Sequence, residues 1–316
     1  MKGLLIVNLG TPKSPTTTDV QAYLQEFLGD PNVIQMPKWL WQPLLKQMIL
    51  PKRAPRSAKL YQSVWTEHGS PLAYYTAQQT QQAQALLPDW DVQYAMTYQE
   101  PNIRQTMQEM AARGVDELVV IPLFPQFTYT ATQSIIDQVA SVDLPIRVQV
   151  VHEYWQNPAY LQGVADLMQA KLNQAKYDQV IFSFHGIPQS YAKKGDPYPE
   201  HVAGTLAELR ARTHLDAQNS LLAFQSKFGP APWLKPALID TLAGLPKQGV
   251  KSVLVTTPGF VVDCLETLDE IHGLNRQTFM DNGGERFDVV PPFNASLVLT
   301  NLLVDLATNA LSGKKS

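Results

Sequence analysis

The chain has 316 residues and 35.3 kDa, 45% hydrophobic and 17% charged, with a formal net charge of −3. That is a globular composition, long for one core and suited to two lobes, and its slight acidity excludes the basic footprint of a nucleic-acid binder. Cys264 is the only cysteine, which excludes internal disulfides, a cysteine-based zinc site and a four-cysteine iron–sulfur cluster and points to a reducing cytoplasm.

The N-terminal run Leu4–Asn8 is a buried-strand pattern, too short and β-like for a signal peptide, and it ends in Leu9-Gly10-Thr11-Pro12. No apolar run approaches the roughly 20 residues of a membrane span. A helix is predicted over Thr16–Leu28, opened by a threonine run and Asp19. Trp39–Leu50 is a second, apolar at Trp41, Leu44, Leu45, Met48 and Ile49, with Pro51 expected to stop it. Helices near Ala73–Leu86, Asn102–Arg113 and Gln133–Ala140 alternate with strands at Val92–Thr97, Leu118–Leu123 and Ile146–His152. A long helix, Asn157–Ala175, leads to the strand that ends at His185. Beyond it come the helix Tyr198–Arg212, the strand Leu221–Gln225, an aromatic, proline-rich loop through Trp233, the strand Ser252–Thr257 and a last helix, Ser296–Leu311.

This alternation predicts parallel βαβ units and doubly wound sheets, the α/β class. Phe184-His185-Gly186-Ile187-Pro188 echoes Asn8-Leu9-Gly10-Thr11-Pro12, and the run from Gly249 to Val255 echoes that from Gly114 to Val120. Two echoes in the same order predict duplicated lobes with a cleft between them, 1–150 and 151–316, the final helix packing back.

Chemistry concentrates in the second lobe. His185 ends an apolar strand just before a Gly-Ile-Pro turn, at the rim where α/β proteins hold ligands, with an imidazole that titrates near neutral pH. A histidine there can also simply close the strand. Asp263, Glu266 and Glu270 have the three-and-four spacing of one helical face, a track for a hard cation. Asp263-x-x-Glu266 is equally a capping-box pattern. Neighbouring carboxylates are expected to raise the Cys264 thiol and make it a poor nucleophile. The chain lacks G-x-S-x-G, a Walker loop, G-x-G-x-x-G and H-E-x-x-H.

Five ordered stretches then resemble the ferrochelatase family: Asn8 to Pro12; Pro122-Leu123-Phe124-Pro125-Gln126-Phe127; Ser183 to Pro188 with Tyr191 and Gly195-Asp196-x-Tyr198-Pro199; Gln225 to Gly229 with Pro232-Trp233-Leu234; and Pro258-Gly259-Phe260 through Glu266-Thr267-Leu268. The resemblance implies two similar flavodoxin-like lobes holding a porphyrin, with Fe²⁺ as a substrate and neither an organic cofactor nor an iron–sulfur cluster. It implies that His185 and Glu266 are the catalytic and metal-binding pair, with Asp263 and Glu270 as a relay. Phe127, Tyr129, Trp233, Phe260 and Lys13 become the porphyrin-contacting residues. Two departures stand out. Cys264 occupies a position that is histidine in many relatives, and Lys13 replaces the tyrosine of coproporphyrin-using ones.

The absence of an arginine cluster after the first helix favours protoporphyrin IX, with coproporphyrin III as the alternative. More distant readings are a cobalt or nickel chelatase and a non-catalytic tetrapyrrole binder. Partners implied are an enzyme that delivers porphyrin or accepts haem, and a peripheral membrane contact through Trp39–Leu50, whose apolar residues adjoin Lys52, Arg53, Arg56 and Lys59.

Overall fold

The computed structural model describes residues 1–313. Its contacts divide the chain into two compact units, Met1–Tyr154 with Asn294–Ser316, and Trp155–Phe293. Among the described residues eight strands form two four-stranded parallel sheets. The first unit contains β1 (Lys2–Gly10), β2 (Asp91–Tyr98), β3 (Glu117–Pro122) and β4 (Arg147–Val150) in the order β2-β1-β3-β4. The second contains β5 (Gln179–His185), β6 (Ser220–Gln225), β7 (Ser252–Thr256) and β8 (Arg286–Val289) in the order β6-β5-β7-β8. Renumbered within each unit, both orders read 2-1-3-4, the flavodoxin-like winding. The two sequence echoes fall at matching places, the ends of β1 and β5 and the entries to β3 and β7. The duplication expected from the sequence is real in the topology.

Helices α1 (Thr17–Gly29), α2 (Lys38–Leu44), α3 (Leu50–Val64), α4 (Pro71–Leu86), α5 (Ile103–Ala112) and α6 (Ser134–Ala140) belong to the first unit. The second carries α7 (Pro158–Leu172), α8 (Gln189–Lys193), α9 (Tyr198–Thr213), α10 (Leu238–Gly244) and α11 (Arg276–Asp281). Start signals act as the sequence suggests: Thr16 caps α1 and Asn102 caps α5 through their side chains. The last helix, α12 (Leu297–Ser312), groups with the first unit. Its Leu299, Leu302, Leu303 and Leu306 are buried, it packs on α4 and β3, and Gln79 and Gln82 of α4 donate to the Asn294 and Ala295 carbonyls.

The central strand β1 shows why these apolar runs become strands. Leu4, Leu5, Ile6 and Val7 are fully buried because helices cover both faces of a parallel sheet. Each contributes roughly 1.5–3 kcal/mol by leaving water. Gly10 ends the strand at φ 109°, and a Cβ there would stand 2.0 Å from the Tyr98 carbonyl oxygen, so the close pass of β1 over β2 requires glycine.

One helix departs from its expected course. Pro51 does not stop the second helix. The chain continues from α2 through a π-helical turn, Leu45–Ile49, into α3, where Pro51 sits in the first turn. A proline in a first turn loses no helical hydrogen bond, and the wide turn before it absorbs the ring. That turn also splits the apolar stripe. Trp41 and Leu45 are buried, with the Trp41 indole donating to the Leu28 carbonyl at 2.6 Å. Met48 is exposed. The candidate membrane lip therefore loses Trp41 and Leu45 and comprises Met36, Trp39, Leu40 and Met48 instead. Among the described residues no helix is long and apolar enough to cross a membrane.

Candidate active site

In the second unit the C-terminal ends of three adjacent strands, β6, β5 and β7, bring polar and aromatic side chains to one edge of the sheet. His185 closes β5 and pairs in register with Gln225 at the end of β6, and the segment after β7 runs through Phe260 to Glu270. His185 is part-buried, and its Nδ1 lies 2.6 Å from the Gly186 carbonyl oxygen. A carbonyl only accepts, so Nδ1 carries the proton, and in the neutral ring Nε2 keeps its lone pair for a proton or a metal. Gly186 donates to the Gln225 carbonyl at 2.8 Å. A Cβ on Gly186 would crowd that oxygen and the Trp233 ring at 3.1 Å, so a glycine allows the loop to close over the turn.

That loop is stitched down by the backbone: Gln189 donates to Pro232 and Leu234 to Ile187. Trp233 is thereby held with its ring centroid 6.3 Å from the His185 ring. Phe260 lies 6.5 Å away, at a turn whose Pro258 carbonyl accepts 2.7 Å from the hydroxyl of fully buried Tyr160. Two aromatic side chains thus attend the imidazole.

The acidic stretch differs from the expected α-helix. Glu266–Asn275 is π-helical, and Leu265, which precedes it, makes no side-chain cap bond. The Asp263 carboxylate accepts from the Thr267 hydroxyl at 2.8 Å, and that hydroxyl accepts from the Cys264 N–H at 3.0 Å. In an i→i+5 helix the three-and-four spacing no longer defines one face. Glu270 turns toward β6: its carboxylate accepts from the Ser226 N–H at 2.7 Å, from the Ser226 hydroxyl, and from Gln225 Nε2 at 3.4 Å. Burial is the largest influence on Glu270 and pushes its carboxyl above the ordinary value. The Ser226 bonds and the His185 charge act the other way, and the charge of Glu266 adds to the rise. Asp263 faces elsewhere, and its charge is felt by His272. Among the described residues no group of three or more His, Cys, Asp and Glu side chains gathers as a metal site. Of the acidic side chains, the one whose charge acts together with that of His185 is Glu270.

Cys264 is buried, and its thiol is raised well above its ordinary value, first by burial and only then by Glu266. The sequence points to carboxylates alone as the cause. Gly195-Asp196-x-Tyr198 serves the fold: Asp196 accepts from the Tyr198 N–H at 3.0 Å at the start of α9, and Tyr198 is buried. In the first unit Phe127 and Tyr129 follow β3 and meet edge to face at 5.7 Å. Lys13 follows β1 and is exposed. Both segments leave the C-terminal edge of their sheet. Sequence reasoning gives no role to the Ser183, Gln225, Ser226 or Tyr160 side chains; a polar Gln closing an apolar strand is the available signal.

This architecture is that of a tetrapyrrole chelatase. SirB from Bacillus subtilis, solved with Fe³⁺, superposes with a TM-score of 0.57 at 13% identity, covering 98% of this chain and 95% of that one, a likeness of fold. The ferrochelatase family model matches residues 1–311, and the chain belongs to that family. It is 49% identical over 306 residues to the coproporphyrin III ferrochelatase of Lactiplantibacillus plantarum, covering 96% of this chain and 94% of the relative. It is 45% identical over 315 residues to that of Lacticaseibacillus casei, covering 99% and 98%. The chain is therefore a porphyrin metal chelatase, a lyase.

Proposed function

We propose that the chain inserts Fe²⁺ into coproporphyrin III, giving coprohaem and two protons. The observation that carries this choice is the naming of its relatives: those 44–49% identical along 96–99% of the chain are coproporphyrin III ferrochelatases. That support outweighs the sequence-based preference for protoporphyrin IX, which rested on a missing arginine cluster. Coproporphyrin brings four propionates, and the first unit offers exposed Lys13, Lys38 and Lys46 to meet them.

A porphyrin surrenders two pyrrole protons as the ion enters, so the site needs a proton acceptor and a donor set that releases the metal from water. His185 supplies Nε2 for either task. Glu266 is its partner in holding the cation, and Glu270 and Asp263 lie along the route of cation or protons. Trp233 and Phe260 pack on the macrocycle, as do Phe127 and Tyr129, and no organic cofactor takes part. The test is anaerobic Fe²⁺ insertion followed by the Soret band, with kcat/KM compared for the two porphyrins. A preference of about tenfold or more for coproporphyrin III is expected. The same preference for protoporphyrin IX reverses the assignment, and product limited to one equivalent per chain makes the protein a carrier.

A further inference from the structure

We infer that Gln225 is a positioning residue, one that holds the first turn of the π-helix and the Glu270 carboxylate against the strand ending in His185. The inference rests on the chelatase reading above. Gln225 is 3% exposed and stands beside His185 in the sheet. Its side-chain oxygen accepts from the hydroxyl of fully buried Ser183 at 2.7 Å. Its Nε2 donates to the Glu266 carbonyl at 3.2 Å and toward the Glu270 carboxylate at 3.4 Å. A carbonyl and a carboxylate can only accept, and the Ser183 hydroxyl fills the oxygen side, so one orientation of the amide satisfies every partner. The next residue continues the hold. Ser226 adopts φ 66°, a left-handed backbone uncommon outside glycine, and there both its N–H and its hydroxyl reach the same Glu270 carboxylate. From the far side the Asn275 amide donates to the Glu270 carbonyl at 2.8 Å.

Packing alone does not require this arrangement. The neighbouring strand residues Ala223 and Phe224 are buried and apolar, and a methionine would fill the volume of Gln225. A buried amide repays its desolvation when both its ends are satisfied, as those of Gln225 are here, and then it fixes one geometry. Here the fixed geometry is that of the Glu266 backbone and the Glu270 carboxylate relative to the strand that carries the imidazole. A misplacement of about 1 Å can cost about a hundredfold in rate.

The experiment compares wild type with Gln225→Met and Ser183→Ala. Zn²⁺, which does not oxidise, is varied at saturating coproporphyrin III, and porphyrin affinity is read separately by fluorescence quenching. Gln225→Met is expected to lower kcat/KM for the metal about ten- to a hundredfold with porphyrin affinity within about twofold. Ser183→Ala, which frees the amide to turn while leaving it present, is expected to lower it about two- to tenfold. Metal kinetics unchanged in both variants, or both substrates affected in proportion to the folded fraction by circular dichroism, overturn the inference. If Gln225→Met does not fold, Ser183→Ala decides by the same criteria. If the wild type does not use coproporphyrin III, that result bears on the functional reading. Calorimetric Zn²⁺ titration of the same folded variants then decides this one: about tenfold weaker binding supports it, and equal binding overturns it.

Discussion

Glu270→Gln should leave the protein folded, and more stable relative to wild type as pH rises, while slowing metal insertion. In the native state burial raises the Glu270 carboxyl above 4.5, its ordinary value. The folded chain therefore holds that proton more tightly than the unfolded chain does. This group's contribution to stability is then fullest at and below pH 4.5 and declines as pH rises from there toward the raised native value, since the unfolded state releases its proton first. The glutamine variant has no such decline. It keeps an oxygen for the Ser226 N–H but loses the charge-assisted share of that bond and of the hydroxyl bond, about 1 kcal/mol each. Relief of a buried charge returns about 1–3 kcal/mol or more. At pH 7.5 the two nearly cancel, and the variant should lie within about 1 kcal/mol of wild type. Denaturant unfolding from pH 4 to 8 measures it. The difference, variant minus wild type, should climb through the window above pH 4.5. A flat difference, or one that falls with pH, would show that Glu270 carries no burial penalty and refute the reasoning. Zinc insertion should drop about tenfold, equivalent to about 1.4 kcal/mol of lost stabilisation.

His185→Ala should lower kcat by about 10²–10⁴-fold while fluorescence quenching still reports porphyrin binding, because Trp233 and Phe260 remain; more than a few per cent residual activity removes His185 as the base. Glu266→Gln keeps an oxygen for the buried Cys264 thiol and should lie within about 1 kcal/mol of wild type in stability, yet be nearly inactive in Soret assays. A normal rate would make the carboxylate dispensable. Trp39 is 74% exposed beside Lys38, so Trp39→Ser should abolish sedimentation with anionic vesicles at low salt; no vesicle binding by wild type removes the membrane lip.

The fold is legible where burial acts on whole elements. Polar–apolar alternation is absent from β1, whose unbroken run Leu4–Val7 is what a strand covered on both faces needs, and the echoes at Gly10 and Gly186 mark equivalent strand ends. Helix type is not legible in the same way. Trp41, Leu44, Leu45, Met48 and Ile49 have ideal α spacing, but an i→i+5 turn at Leu45–Ile49 breaks that spacing, leaves Met48 within it exposed and carries the chain past Pro51. The same difference recurs at Glu266–Asn275. Nothing in residue type separates an α-turn from a π-turn when the wider turn is held from outside, as it is here by Gln225 of β6.

Within the site, the legible residues are those whose chemistry is enforced by burial. His185 stands out because a strand as apolar as β5 tolerates an imidazole only at its rim. Gln225 carries the same signal, but its meaning depends on partners, Ser183 and Glu270, that lie 42 and 45 residues away in the chain. Porphyrin choice belongs to a different regime. Lys13, Lys38 and Lys46 are exposed, and an exposed ion pair contributes about 0.2–1 kcal/mol. Specificity is a difference between two such sums. Two extra propionates, each met by one exposed lysine, would favour coproporphyrin by about 0.4–2 kcal/mol in total, or roughly two- to thirtyfold in kcat/KM. A tenfold preference therefore asks for two well-formed contacts and no arginine, and neutralising Lys13 alone (Lys13→Gln) should remove about half of it on a logarithmic scale.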